Sequence, residues 1–210
     1  MSTALIVTAY IEATCKRILP LLPHDSVICA DGGYRIACDL GLDADYLIGD
    51  YDSMDQPERN DSIVLPKEKD MTDTEAAIDF AVEKGFTEIY VLGGIGGRFD
   101  HTMGNIGLLS KYCNTPVRIA FCDDINCVFM AGPGEHHIPS NLYKYLGVIS
   151  HSDQTENITM EGVKYPLSGY TLKNNTSLGV SNEITTTEAI ITFSSGKLLL
   201  ILSNDSQDLK

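Results

Sequence analysis

The sequence predicts an α/β protein: an N-terminal parallel-sheet α/β domain over residues 1–133, followed by a C-terminal antiparallel β-sandwich domain over 134–210. Two observations carry this. Up to about residue 131, short apolar runs that do not alternate with polar residues are separated by helical segments, as expected for parallel strands covered on both faces. After Gly132-Pro133-Gly134 arginine disappears, and Thr, Ile, Val, Ser and Asn dominate strand-like runs joined by short turns.

In the first half the strand-like runs are Ala4–Ala9, Val27–Ala30, Tyr46–Ile48, Ile63–Leu65, Ile89–Leu92 and Val117–Phe121. The clearest helix spans 73–84. Thr72 and Glu75 form a capping box, Ala76, Ala77, Phe80 and Ala81 repeat at helical spacing, and Gly85 stops the helix. Further helices are expected over 102–112, 33–40 and 12–19. In the second half, strands are expected at Tyr145–Ser150, Glu188–Phe193 and Lys197–Ser203, the last two joined by Ser194-Ser195-Gly196.

Composition narrows the function. The 210 residues include 15 Lys plus Arg and 29 Asp plus Glu, a formal net charge of −14. That excess argues against nucleic-acid binding and against adsorption to anionic membranes, since both draw on Lys and Arg. An acidic protein can still meet phosphorylated ligands when a divalent cation supplies the positive charge. No run approaches the ~18 apolar residues of a membrane span. The first ten residues lack a basic cluster, and the six cysteines form no C-x-x-C pair; both features suit a cytoplasmic protein with reduced thiols.

Four unusual sequences come directly after predicted strands: Asp31-Gly32-Gly33, Gly49-Asp50-Tyr51-Asp52-Ser53, Lys69-Asp70-Met71-Thr72-Asp73, and Gly93-Gly94-Ile95-Gly96-Gly97-Arg98-Phe99-Asp100-His101. Ligands of open parallel sheets bind at the carboxyl ends of the strands, so the four imply one shared site. Asp50 and Asp52, two apart in a glycine-led turn, read with Asp70 and Asp73 as hard oxygen ligands for Mg²⁺. Singly, Asp70 and Asp73 also suit a helix N-terminus, and Asp50 and Asp52 suit a turn. The glycine stretch offers bare N–H groups that run into a helix start, which suits phosphate oxygens. It matches neither a Walker A loop nor G-x-G-x-x-G. Arg98 reads as a phosphate clamp or as a partner for surplus carboxylates. Asp100 and His101 read alternatively as a helix cap and a structural imidazole. His136-His137 lacks the spacing of a zinc site and is expected on a strand with one ring exposed.

In combination these motifs resemble the thiamine pyrophosphokinase family over nearly the whole chain. The resemblance rests on Asp-Gly-Gly at 31–33, Gly-Asp-x-Asp-Ser at 49–53 and Asp-x-Thr-Asp at 70–73. It continues through Gly-Gly-Arg-x-Asp-His at 96–101 with Asn105 beyond, and Ser-Asn-Glu at 181–183. It implies transfer of a pyrophosphoryl group from ATP to the hydroxyl of thiamine, giving thiamine diphosphate and AMP, with Mg²⁺ as cofactor. By the family pattern Asp50, Asp52 and Asp73 resemble the metal-binding and catalytic carboxylates, with Asp70 close by. Asp31, Gly96, Gly97, Arg98, Asp100, His101 and Asn105 resemble the ATP side. Ser181 and Asn182 resemble the thiamine-contacting pair, which in this family reaches a site on the other subunit and so implies a homodimer with composite sites. Tyr34-Arg35 stands where an Ala-Asn pair is common, and with no tryptophan any aromatic wall around thiamine must be Tyr or Phe. Two other readings fit the same motifs: an ATP-dependent kinase of another small heterocyclic alcohol, and a non-catalytic thiamine or nucleotide sensor.

Overall fold

The structure, a computed structural model, describes residues 2–11, 15–49, 62–64, 70–140 and 142–209. The chain divides into two compact units, Met1–Asp124 and Ile125–Lys210. The division precedes the change of texture at Gly132 because strand β7 (Asn126–Ala131) pairs antiparallel with β14 (Leu198–Ser203), inside the second unit.

The first unit is built on β1 (Thr3–Val7), β2 (Ser26–Ala30), β3 (Tyr46–Gly49), β4 (Ser62–Val64), β5 (Glu88–Leu92) and β6 (Arg118–Cys122). Their order is β6-β5-β1-β2-β3-β4, and every pairing is parallel. All five residues of β1 and of β2 are buried. Burial of both faces is why these runs carry no polar alternation. The chain progresses from β1 through β2 and β3 to β4, then returns to the other side of β1 with β5. The switch in direction therefore lies between the carboxyl ends of β1 and β5, where such sheets open a crevice.

Helix α1 spans Gly33–Asp39, α2 Asp73–Glu83 and α3 Phe99–Tyr112. Helix α2 starts as its sequence requires. Thr72 is extended (φ −77°, ψ 160°) and its hydroxyl accepts the Glu75 N–H at 3.2 Å, a cap worth about 1 kcal/mol. Ala76, Ala77, Ile78 and Ala81 form its buried face, and Gly85 leaves it at φ 88°. Helix α3 begins three residues before the expected 102, because Arg98, not a side-chain capping residue, occupies its N-cap. Residues 12–14 of the segment expected as the first helix lie outside the described residues. Beyond them the chain forms a 3₁₀ turn, Leu19–Leu21, around Pro20, which cannot sit inside an α-helix. The Asp124 carboxylate accepts the Arg17 and Ile18 N–H groups just before that turn.

The second unit holds two antiparallel sheets. One has the order β12-β9-β14-β7, with β9 at Tyr145–Ser150 and β12 at Asn182–Glu183. The other has the order β11-β10-β13-β8, with β8 at Gly134–Pro139, β10 at Gln154–Glu161, β11 at Leu167–Lys173 and β13 at Glu188–Phe193. Strand β13 alternates between half-buried and buried positions, with Ala189, Ile191 and Phe193 turned inward. His136 stacks on Phe193 while the neighbouring His137 is exposed, the alternation expected of adjacent strand residues. Among the described residues no helix is long and apolar enough to cross a membrane.

Candidate functional site

Three of the four motif loops start where parallel strands of the first unit end, and contact between backbones explains their glycines. A Cβ on Gly33 would lie 2.0 Å from the Val7 carbonyl oxygen, so only glycine lets α1 leave over the end of β1. Asp31, at φ 47°, donates its N–H to Ile48 O at 2.8 Å and thereby ties the end of β2 to the end of β3. A Cβ on Gly49 would come within 3.0 Å of Asp31 Cα. Asp31 is thus placed against the residue that immediately precedes Asp50. Asp50 and Asp52 themselves lie outside the described residues.

The glycine loop after β5 occupies the switch point. Gly93 N–H donates to Cys122 O at 3.0 Å on the β6 side, and Gly94 N–H donates to Tyr10 O at 3.0 Å on the β1 side. Gly93 has φ 79°, and a Cβ there would lie 2.2 Å from Tyr10 O. Farther along, the Tyr10 ring lies against Gly97, where a Cβ would approach Cζ to 2.5 Å. Helix α3 fixes the loop from the other side. Thr102 Oγ1 accepts the Gly96 N–H at 3.0 Å and donates to Gly96 O at 3.1 Å, while Asn105 Nδ2 donates to Gly94 O at 2.6 Å. Asn105 itself is buried.

At the head of α3 the side chains point outward. Arg98 pairs with Asp100 at 2.7 Å with both side chains largely exposed. The hydrogen bond from Arg98, assisted by the His101 N–H, holds the Asp100 carboxyl below its ordinary range; the same bond raises Arg98. Asp100 Oδ1 also accepts the His101 N–H at 3.0 Å. The ion-pair reading of Arg98 therefore describes the arrangement; the N-cap itself is Arg98, which makes no side-chain capping bond, and Asp100 lies within the first turn. The Arg98 and His101 side chains remain accessible to a ligand.

A cleft of about 190 Å³ opens between the N-terminal halves of α2 and α3, lined by Thr72, Glu75, Asp100, His101, Gly104, Asn105 and Leu108. It brings Asp100, His101 and Asn105 together with the start of α2. Asp73 opens the first turn of α2, half-buried, and Asp70 is exposed just before it. Among the described residues no three His, Cys, Asp or Glu side chains gather as a metal site. The roles of Thr102 and Tyr10 had no signal in the sequence, because each acts through a backbone partner brought close only by the fold.

In the second unit Ser181 is exposed at φ 60°, and Asn182 beside it is buried. The Asn182 amide is engaged within the unit. Its Oδ1 accepts the Tyr165 N–H at 3.0 Å and the Glu183 N–H at 2.9 Å, and Nδ2 donates to Tyr165 O at 2.9 Å. Of the expected pair, Ser181 presents its side chain outward and Asn182 anchors the turn that carries it.

A parallel α/β unit with its loops at one sheet edge, followed by an antiparallel β unit, defines a two-part protein whose candidate site is assembled from strand ends. Residues 21–121 match the family model for the thiamin pyrophosphokinase catalytic domain, and residues 135–198 match the model for the thiamin pyrophosphokinase vitamin B1 binding domain. The chain is 34% identical to thiamine pyrophosphokinase of Bacillus subtilis over 190 residues, 87% of this chain and 89% of that one. The crystal structure of thiamine pyrophosphokinase from Bacillus subtilis superposes with a TM-score of 0.88 at 30% identity, covering 97% of this chain and all of the other. The thiamin pyrophosphokinase of Geobacillus thermodenitrificans superposes with a TM-score of 0.83, also at 30% identity, over 97% of this chain and 98% of that one. This chain belongs to the thiamine pyrophosphokinase family.

Proposed function

We propose that the protein transfers the pyrophosphoryl group of ATP to the hydroxyl of thiamine, releasing AMP and thiamine diphosphate. The observation that carries this reading is the match of both halves of the chain to the two domain models of one enzyme family. The placement of its motif loops at the carboxyl edge of a parallel sheet supports it.

Pyrophosphoryl transfer asks for alignment and charge neutralisation rather than covalent chemistry by the protein. The thiamine oxygen attacks the β-phosphorus, the bond from that phosphorus to the oxygen bridging the α-phosphate breaks, and AMP departs with the bridging oxygen. Asp73 or Asp52 orients the hydroxyl and receives its proton. Arg98 faces the phosphates and takes developing charge, with Asp31, Gly96, Gly97, Asp100, His101 and Asn105 on the same ATP side. The carboxylate set Asp50, Asp52 and Asp73, with Asp70 near, has the hard-oxygen chemistry that Mg²⁺ selects. When bound, that ion supplies Lewis-acid neutralisation of the ATP phosphates.

On this reading the first unit is the ATP- and Mg²⁺-binding catalytic part. The second, residues 134–210 by the change of sequence texture, binds thiamine through Ser181, held by Asn182, and forms a homodimer with composite sites. The protein works in the cytoplasm, with no nucleic-acid or membrane partner. Incubation with ATP, Mg²⁺ and thiamine should yield AMP and thiamine diphosphate. ADP in place of AMP would mean single-phosphate transfer to an alcohol, and nucleotide binding without product would mean a sensor. Asp52→Asn and Asp73→Asn should each cut turnover severely with unchanged melting temperature; near-wild-type activity in both removes the carboxylate–metal arrangement.

A further inference from the structure

Helices α2 and α3 are joined next to the cleft by one cation. Lys111, in the last turn of α3, donates through Nζ to Glu75 Oε1 at 3.1 Å and to both Asp79 carboxylate oxygens at 2.9 Å. Tyr112 adds a hydrogen bond from its hydroxyl to Asp79 Oδ1 at 2.5 Å. Glu75 and Asp79 are four residues apart, so they share one face of α2. Glu75 is also a wall of the cleft, on the side opposite Asp100 and His101. Its carboxylate therefore has two neighbours, the Lys111 ammonium and the cleft interior.

Burial works against the Lys111 charge, but the hydrogen bonds to Asp79 and Glu75 outweigh it and hold the ammonium well above its ordinary range. Burial, then the bond to Asp79, pushes the Tyr112 hydroxyl up to about 12, so it remains a donor. The cluster holds one fixed cation against two carboxylates. Removing the cation would leave Glu75 as well as Asp79 uncompensated, and so a second net negative charge at the wall of the cleft. For a polyphosphate ligand that is a direct penalty, felt more strongly in a half-buried site than in bulk water.

We infer that Lys111 is a positioning residue for the nucleotide side of the site: it neutralises Glu75, draws that carboxylate onto Asp79's side of α2, and so keeps the cleft open to ATP phosphates. The inference rests on the assignment of this cleft to ATP. It requires no contact between Lys111 and the nucleotide.

The test uses the full chain and reads ATP affinity in the presence of Mg²⁺ by titration calorimetry, with KM, kcat and melting temperature alongside. Lys111→Met should weaken ATP binding on the order of tenfold, equivalent to about 1.4 kcal/mol. KM for ATP should rise in parallel and kcat should change less. Lys111→Arg should stay near wild type. Adding Glu75→Gln to Lys111→Met should return affinity to within about twofold of wild type, because the repelling charge is gone. A purely structural tie would give the opposite result, since a neutral amide facing a methionine cannot restore the lost link between the helices. Glu75→Gln alone, which leaves Lys111 on Asp79, should tighten ATP binding about twofold. Unchanged affinity in Lys111→Met, a loss that Glu75→Gln does not relieve, or weaker binding in Glu75→Gln alone overturns the inference and leaves the functional reading standing. Wild-type protein that binds no ATP overturns both.

Discussion

Replacing Asn182 with alanine separates an anchoring role from a ligand-contacting one. The side chain is buried and makes three hydrogen bonds inside its own unit, two accepted from the Tyr165 and Glu183 N–H groups and one donated to Tyr165 O. Alanine leaves two donors and one acceptor without partners. An unsatisfied buried group costs about 1–3 kcal/mol; Tyr165 is itself exposed, so water can reach part of its backbone and the low end applies. The expected loss is therefore about 2–3 kcal/mol, or a fall in melting temperature of about 5–10 °C for a chain of this size. Ser181 sits at φ 60°, where a residue with a Cβ is held only by its surroundings, at a cost of about 1–2 kcal/mol. Loosening Asn182 lets Ser181 relax to ordinary backbone angles and moves it away from its position in the turn. KM for thiamine should rise while ATP affinity stays the same.

A second substitution at the same position tests the geometry. Asn182→Asp retains oxygens for both N–H groups but sets a carboxylate against the Tyr165 carbonyl. That variant should be less stable than wild type at neutral pH and regain ground on acidification, because protonation restores a donor toward Tyr165 O. Urea denaturation gives the free energies, and the product assay with thiamine as the varied substrate gives KM. If Asn182→Ala loses less than about 0.5 kcal/mol, the hydrogen-bond account is wrong. If stability falls but KM for thiamine does not move, Asn182 has no link to the proposed thiamine side.

Two other side chains give outcomes that can be measured directly. Asn105→Ala removes the 2.6 Å bond that holds Gly94 O, so it should destabilise the first unit by about 1–2 kcal/mol in urea denaturation and weaken ATP binding at the same time. The exposed His137 ring has Glu135 and Glu188 on its two nitrogens, and these bonds raise its pKa above the ordinary 6.5. A raised imidazole stabilises the fold below the unfolded value and loses that contribution as pH rises through the folded one. The difference in melting temperature between wild type and His137→Gln should be present near pH 6 and vanish near pH 9, and an NMR titration of His137 at or below 6.5 would refute the bridge.

The parts of the fold that are legible in the sequence are those whose signals are local. Strands β1, β2, β3 and β5 announce themselves as unalternating apolar runs because both faces are covered, and α2 carries its own cap and stop. Strands β8, β10 and β11 carry no such signal. In β11, five of seven positions are exposed, so no hydrophobic period exists to be read, while β8 is interrupted by two histidines and a glutamate. The apolar spacing before Pro20 resembles a helical face, and the proline ends that possibility by closing the segment in a 3₁₀ turn. The candidate site divides in the same manner. Its loops are legible as glycine and aspartate strings after strands. The bond from Asn105 to Gly94, the hold of Asn182 on Tyr165, and the link from Lys111 to Glu75 span 11, 17 and 36 residues, and each exists only once helices and strands have packed.

That division also orders the candidate residues by what a mutation in each can do. Asn105, Asn182 and Thr102 have polar groups committed to backbone partners inside their units. Substitution there moves a loop or a turn, so stability and ligand affinity must fall together. Arg98, Asp100, His101 and Ser181 project from the same scaffolds into solvent. An exposed ion pair such as Arg98–Asp100 contributes little to folding, because both partners are well hydrated when apart. Arg98→Ala should therefore leave the melting temperature unmoved and still weaken ATP binding. A family motif read as a string of equivalent positions thus resolves into a buried set that holds backbone in place and an exposed set that meets the ligand. The glycines between them are required by neither chemistry: Gly33 and Gly93 are there because another backbone already occupies the space a side chain would need.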